Sequence, residues 1–232
     1  MILRGKNACV ETIKSGREIE KVIFRKGFSD PITSYVKAKN IPFVLLDEKS
    51  FDSKYKHAQG IVVFTPDYEY YDLHDVLKEK PTLVAILDSI SDPENLGNIM
   101  RTVETLGVDF IIIPKSRSVS VNETACKVSC GAFNFVKVVE VSNLNQAIKV
   151  LKENGFWVVG ADMEGEVEYS KMDVSVPLAV VIGSEGFGIS RLVRENCDYL
   201  IRIPMKGKIN SMNASISLAI ILSNIISRRW YH

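Results

Sequence analysis

Histidine is scarce in this chain of 232 residues: only His57, His74 and His232 occur. None of them lies in the loops that follow the apolar runs of the second part. That excludes a histidine general base or a Ser-His-Asp triad there. Cysteine is sparse too, with Cys9, Cys126, Cys130 and Cys197, none in a CxxC pair and none beside a histidine. A zinc site is therefore not expected, and the pattern fits a reducing cytoplasm. Cys126 and Cys130 stand four apart in an expected helix, so they are expected to share a buried face. No carboxylate cluster suggests a metal. No secretory signal is expected, because the first residues lack a continuous apolar core. One stretch, Ala214 to Ile226, is apolar enough to raise the question of a membrane. It is too short, and Ser215, Ser217, Ser223 and Asn224 interrupt it, so it reads as a buried helix. There is no internal repeat or low-complexity segment.

What is present is ordinary globular material, 46% hydrophobic and 25% charged. The length permits one or two domains. The formal net charge of +1 is divided unevenly. Residues 1–60 hold 12 basic and 7 acidic side chains, residues 61–80 hold 2 and 5, and residues 81–232 hold 15 and 16. A basic first part suits capture of a nucleic acid. A solvated, lysine-rich surface accounts for the same numbers.

The first part alternates helix-like and strand-like pieces. Asn7–Ser15 reads as a helix stopped by Gly16. Val22–Phe24 is a short strand, and Asp30-Pro31 opens a helix that ends near Asn40. Phe43–Leu46 and Gly60–Thr65 are strands. Pro66–Pro81 is polar, acidic and rich in tyrosine, and reads as a linker or connecting helix. From Thr82 the rhythm is α/β. Strands are expected at Leu83–Leu87, Phe110–Ile113, Trp157–Val159, Leu178–Ile182 and Leu200–Ile203. Helices are expected at Gly97–Leu106, Asn122–Ala132, Leu144–Glu153, Ser190–Asn196 and Ser211–Arg228. Asn143 should cap one of them, and Gly107 and Gly155 should close two. Near-continuous apolar strands between helices indicate a parallel sheet covered on both faces.

Ligands of open parallel sheets bind beyond the carboxyl ends of the strands. Three loops stand there. In Asp88–Arg101 a polar turn runs into a helix, with Asn95 at its mouth and Asn98 and Arg101 able to share a face. An arginine fork there could grip a phosphate or a ribose hydroxyl. An N-cap with a surface ion pair from Arg101 to Glu94 or Glu104 is the plain alternative. In Ile182-Gly183-Ser184-Glu185-Gly186-Phe187-Gly188, three glycines follow a buried strand and permit close backbone approach to a ligand. The spacing is GxxGxG, so the dinucleotide fingerprint fails, and no Gly-Lys-Ser/Thr makes it a nucleotide triphosphate loop. A tight turn alone is the plain alternative. Ile203–Ser215 leads into the last helix, with Asn210 or Ser211 as its expected cap and Lys206 and Lys208 beside it. Such loops favour a reaction needing neither metal nor histidine, and methyl transfer from a sulfonium is one.

Taken in order, these three loops resemble the three sequence motifs of the SpoU (TrmH) family of RNA ribose 2′-O-methyltransferases, within the SPOUT superfamily. The resemblance covers essentially the whole chain and is strongest in 88–114, 178–190 and 201–217. It implies an α/β fold: a parallel-sheet SPOUT domain with a C-terminal deep trefoil knot, over residues 81–232. A small α/β unit like ribosomal protein L30e, residues 1–66, is implied as an RNA-binding domain, with 67–80 as linker. It implies S-adenosylmethionine as cofactor, no metal, RNA rather than DNA as partner, a homodimer with the active site at its interface, and a cytoplasmic enzyme. Carried over by position, Arg101, Asn95, Glu185, Ser211 and Asn213 would form the active centre. Gly183, Gly188, Ile182, Ile203 and Met212 would line the cofactor slot. Met212 stands where the family often has leucine. The first unit resembles that of bacterial enzymes acting on a guanosine of 23S ribosomal RNA. A tRNA target, or an RNA-binding protein of this fold without catalysis, are the alternatives. A nicotinamide dehydrogenase would need an early glycine fingerprint, which is absent.

Overall fold

The computed structural model describes residues 1–209 and 211–230. The first unit contains strands β1 (Ile2–Arg4), β2 (Lys21–Arg25), β3 (Phe43–Leu46) and β4 (Ile61–Phe64), paired in the order β1-β4-β2-β3. Helices α1 (Lys6–Lys14), α2 (Ile32–Ala38) and α3 (Glu48–Lys54) connect them. The short helix α4 (Leu73–Leu77), capped by the Asp72 carboxylate, lies within the tyrosine-rich segment.

Seven parallel strands make the second sheet: β5 (Leu83–Asp88), β6 (Phe110–Pro114), β7 (Val138–Val141), β8 (Trp157–Ala161), β9 (Val167–Glu168), β10 (Leu178–Gly183) and β11 (Tyr199–Arg202). Their order is β7-β6-β5-β10-β8-β11-β9. Every side chain of β5 and β10 is buried, as expected for strands covered on both faces. Leu83, Ala85 and Leu87 enter one core, while Val84 and Ile86 enter the other. The covering helices are α5 (Pro93–Leu106), α6 (Glu123–Val128), α7 (Leu144–Glu153), α8 (Arg191–Asn196) and α9 (Ala214–Trp230). Gly107 closes α5 in the left-handed region, and Asn143 caps α7 through its side chain.

Strand β11 lies between β8 and β9, although β8 and β9 are consecutive in the chain. The loop joining those two passes so close to β11 that a Cβ on Gly165 would sit 2.4 Å from the Ile201 carbonyl carbon. The register aligns Asp88 with Gly183 and Ile201 with Ala161. The carboxyl ends of β5, β10, β8 and β11 therefore open onto one region.

Two local expectations are corrected. Helix α6 stops at Val128, and Cys130 has φ +52, so Cys126 and Cys130 do not share a helical face. The last helix begins at Ala214 rather than Ser211, because the side-chain Oδ1 of Asn213 accepts from the backbone N–H of Ser215 at 3.0 Å and of Ile216 at 3.3 Å. Asn210, the other expected cap, lies outside the described residues, as does His232. Among the described residues, no helix is long and apolar enough to cross a membrane.

Candidate active site

Asp92 caps α5 by accepting from the Glu94 N–H, and Pro93 occupies the first turn, where its missing N–H costs nothing. This sets Asn95 at the helix mouth, 7% exposed. Its amide donates to Glu185 Oε1 at 3.1 Å, and its carbonyl accepts from Asn213 Nδ2 at 2.8 Å. Asn213 Nδ2 also donates to Glu185 Oε1. Three residues from three separate segments, the first turn of α5, the glycine loop and the entry to α9, thus meet in one hydrogen-bonded triangle. Asn95, the buried member, needs such partners, and half-buried Asn213 and exposed Glu185 supply them.

The glycine loop is shaped by a backbone approach that only glycine allows. A Cβ on Gly183 would lie 2.0 Å from the Gly188 carbonyl carbon. Ser184 and Gly188 exchange backbone hydrogen bonds at 3.1 and 2.8 Å, and Gly188 has φ +64. Asp88, 4% exposed, fastens this loop to β5 by accepting from the Ser190 N–H at 2.7 Å. Asp88 has no role in the sequence reading, since only strand pairing brings it beside Ser190.

Under the loop is an open cavity of about 280 Å³. Ile182, Gly183, Gly188, Ile203 and Met212 all line it, together with Glu185 and Ser211. Met163, in the loop after β8, also lines it and was not expected from sequence. Its walls offer apolar side chains and backbone polar groups, the character of a small-molecule site.

Arg101 lies on the other side of Asn213. With Asn98, Thr102 and Asn213 it borders a broad groove between α5 and α9, joined by Tyr169. Asn98 and Arg101 do share a face, as their spacing requires. Neither ion pair considered for Arg101 forms. Its guanidinium donates to the Cys130 sulfur at 3.6 Å, and no carboxylate pairs with it among the described residues. Among the described residues no group of three or more metal-ligating side chains converges.

Residues 82–223 match the SpoU rRNA methylase family, and residues 2–71 match the substrate-binding domain of RNA 2′-O ribose methyltransferases. A Staphylococcus saprophyticus protein named for the TrmH family of tRNA/rRNA methyltransferases is 38% identical, over 100% of this chain and 97% of its own length. A Bacillus subtilis protein of the same family name, YacO, is 39% identical over 97% of this chain and 94% of its own. The SpoU methyltransferase AviRb from Streptomyces viridochromogenes, solved in complex with AdoMet, is similar in fold. Its TM-score is 0.86 at 20% identity, covering 100% of this chain and 91% of that one. The chain belongs to the SpoU (TrmH) family of RNA methyltransferases.

Proposed function

We propose that the enzyme transfers a methyl group from S-adenosylmethionine to the 2′-hydroxyl of a ribose in structured RNA, and that its target is a guanosine of 23S ribosomal RNA. The observation that carries this reading is the triangle of Asn95, Glu185 and Asn213 beside the cavity lined by Gly183, Ile203 and Met212. The cavity fits the cofactor in kind. Ile182, Ile203 and Met212 can enclose an apolar or aromatic portion, and the glycine loop brings backbone groups within reach of polar ones. When bound, S-adenosylmethionine supplies a methyl group already activated by its sulfonium.

Asn95, Glu185 and Asn213 offer amide and carboxylate groups to hold ribose hydroxyls at the cavity, and Ser211 adds a hydroxyl. Arg101 serves as an orienting and charge-stabilising group near the attacking oxygen. The α5–α9 groove, with Ile216 53% exposed, supports a homodimer interface that would complete the site. The insertion of β11 between β8 and β9 supports threading of the C-terminal segment into a knot.

The ribosomal target rests on the first unit, which carries the excess of basic charge. The relatives' names cover both tRNA and rRNA. The test is transfer of labelled methyl from S-adenosylmethionine to separate pools of unmodified 23S rRNA and tRNA, followed by nucleoside analysis. Label on 2′-O-methylguanosine in the ribosomal pool is the expected result. Label in tRNA alone would overturn the target, and label in neither would overturn the catalytic reading.

A further inference from the structure

The turn Ser129–Asn134 touches two things at once. On one side the Cys130 sulfur accepts from Arg101 at 3.6 Å, the one side-chain hydrogen bond of Arg101 among the described residues. On the other side the turn receives α1 of the first unit. A Cβ on Gly131 would lie 2.4 Å from Glu11 Cβ, so the helix packs where only glycine leaves room. Asn134 Nδ2 donates to Thr12 Oγ1 at 3.0 Å and to the Gly131 carbonyl at 2.8 Å. Thr12 is fully buried, and its hydroxyl in turn donates to the Ala8 carbonyl at 2.7 Å.

The backbone of this turn is unusual. Cys130 and Gly131 are consecutive left-handed residues, at φ +52 and +100. A non-glycine residue holds that conformation only where its surroundings enforce it. The surroundings here are α1 and its hydrogen bond to Asn134. The contacts therefore form one series: α1, then Asn134 and Gly131, then Cys130, then Arg101.

We infer that α1 of the first unit, acting through the Ser129–Asn134 turn, sets the direction of the Arg101 side chain in the same subunit. Cys130 is then a positioning residue, and the first unit serves catalysis as well as substrate capture. The inference rests on the catalytic role proposed above for Arg101.

The test uses the full chain with Thr12→Val, which removes the hydroxyl at nearly constant volume, and Thr12→Ser, which keeps it. One readout is the side-chain Nε–H NMR resonance of Arg101, assigned with Arg101→Lys. Thr12→Val should shift or broaden that resonance and lower kcat roughly ten- to hundredfold, since small misplacements at a reacting centre are costly. S-adenosylmethionine affinity should be unchanged, and Thr12→Ser should restore both signals. Cys130→Ala, which leaves the backbone in place, should move the same resonance. An Arg101 resonance unmoved by Thr12→Val would overturn the inference, whatever Cys130→Ala does. The NMR arm decides this even if the wild-type chain methylates no RNA, so the two failures are distinguishable.

Discussion

Asn213 uses one amide for two tasks. Its oxygen caps α9, and its nitrogen bonds Asn95 and Glu185. Asn213→Asp keeps the cap oxygen and removes the donor, leaving a carboxylate against Glu185. Methyl transfer should fall about a hundredfold, the scale of losing one aligned donor, while far-UV circular dichroism stays that of the wild type. A near wild-type rate would show that the triangle is dispensable. Gly183→Ala tests the cavity in the same way. Its Cβ would strike the Gly188 carbonyl carbon at 2.0 Å, and no side-chain rotation relieves a backbone clash. Calorimetric titration with S-adenosylmethionine should show binding lost; retained affinity would place the cofactor elsewhere. Gly183 and Ile203 lie where apolar strands give way to loops and Met212 just before the last helix, and the family resemblance, not local pattern, is what singled out all three. Asp88 was not legible in the sequence, since its partner Ser190 lies 102 positions away and only the β5–β10 pairing brings them together.

Helices with a polar cap before and a glycine after were legible as elements. Asn143 before α7 and Gly107 after α5 marked their ends through local chemistry alone. Strands β1, β7 and β9, of three, four and two residues, were not. The two or three residues of β9 and β1 carry no measurable period, and their strand character comes from the neighbour they pair with. The fastening of α9 at its far end was equally hidden. Arg229 donates to the carbonyls of Val174 at 2.8 Å and Val176 at 2.7 Å, and Arg228 donates to those of Ser170 at 3.0 Å and Met172 at 2.7 Å. Burial holds the Arg229 guanidinium below its ordinary pKa, and the side chain forks between the two carbonyls. Arg229→Lys keeps the charge and loses the fork. It should destabilise the fold by about 1.5–3 kcal/mol, the worth of a charged hydrogen bond, read as a lower midpoint in urea. An unchanged midpoint would mean that the apolar face of α9 holds it alone.

Across the whole molecule the two sheets are not separate bodies. One apolar core runs from Leu3, Cys9 and Val63 of the first unit to Cys126, Phe133 and Val138 of the second. Arg4 pairs with Glu123 at 2.9 Å, and Arg17 lies over the rings of Tyr68 and Phe133 at 5.4 and 5.5 Å. Burial in this core pushes the thiols of Cys9 and Cys126 up from 9.0 to about 12. The folded state thus holds them neutral where an unfolded chain would ionise them. Their contribution to stability is complete below pH 9 and is lost as the pH rises toward 12. A Cys9→Ala, Cys126→Ala chain should lose less stability across that window than the wild type, measured by urea titration at each pH. An equal loss would assign the alkaline sensitivity to other groups.

The tyrosine-rich segment reads from sequence as a linker or connecting helix, since acidic and polar residues carry no sign of where they dock. Its Tyr68 hydroxyl nevertheless donates to the Val136 carbonyl at 2.6 Å and accepts from the Val138 N–H at 3.1 Å, while Tyr70 accepts from the Val121 N–H at 2.9 Å. A segment bonded in this way cannot act as a free hinge without breaking buried hydrogen bonds, each worth about 1 kcal/mol. Scanning calorimetry of the intact chain should therefore show a single transition in which both sheets melt together. Tyr68→Phe deletes only the hydroxyl, leaving the Val136 carbonyl and Val138 N–H without it. It should lower that one transition by a few degrees, the shift expected for about 1 kcal/mol in a chain of this size. Two resolved transitions in the wild type, or a Tyr68→Phe variant that melts one sheet early, would mean that the units fold independently. On the proposed function, the first unit would then act as a swinging arm and not as a fixed extension of the second sheet.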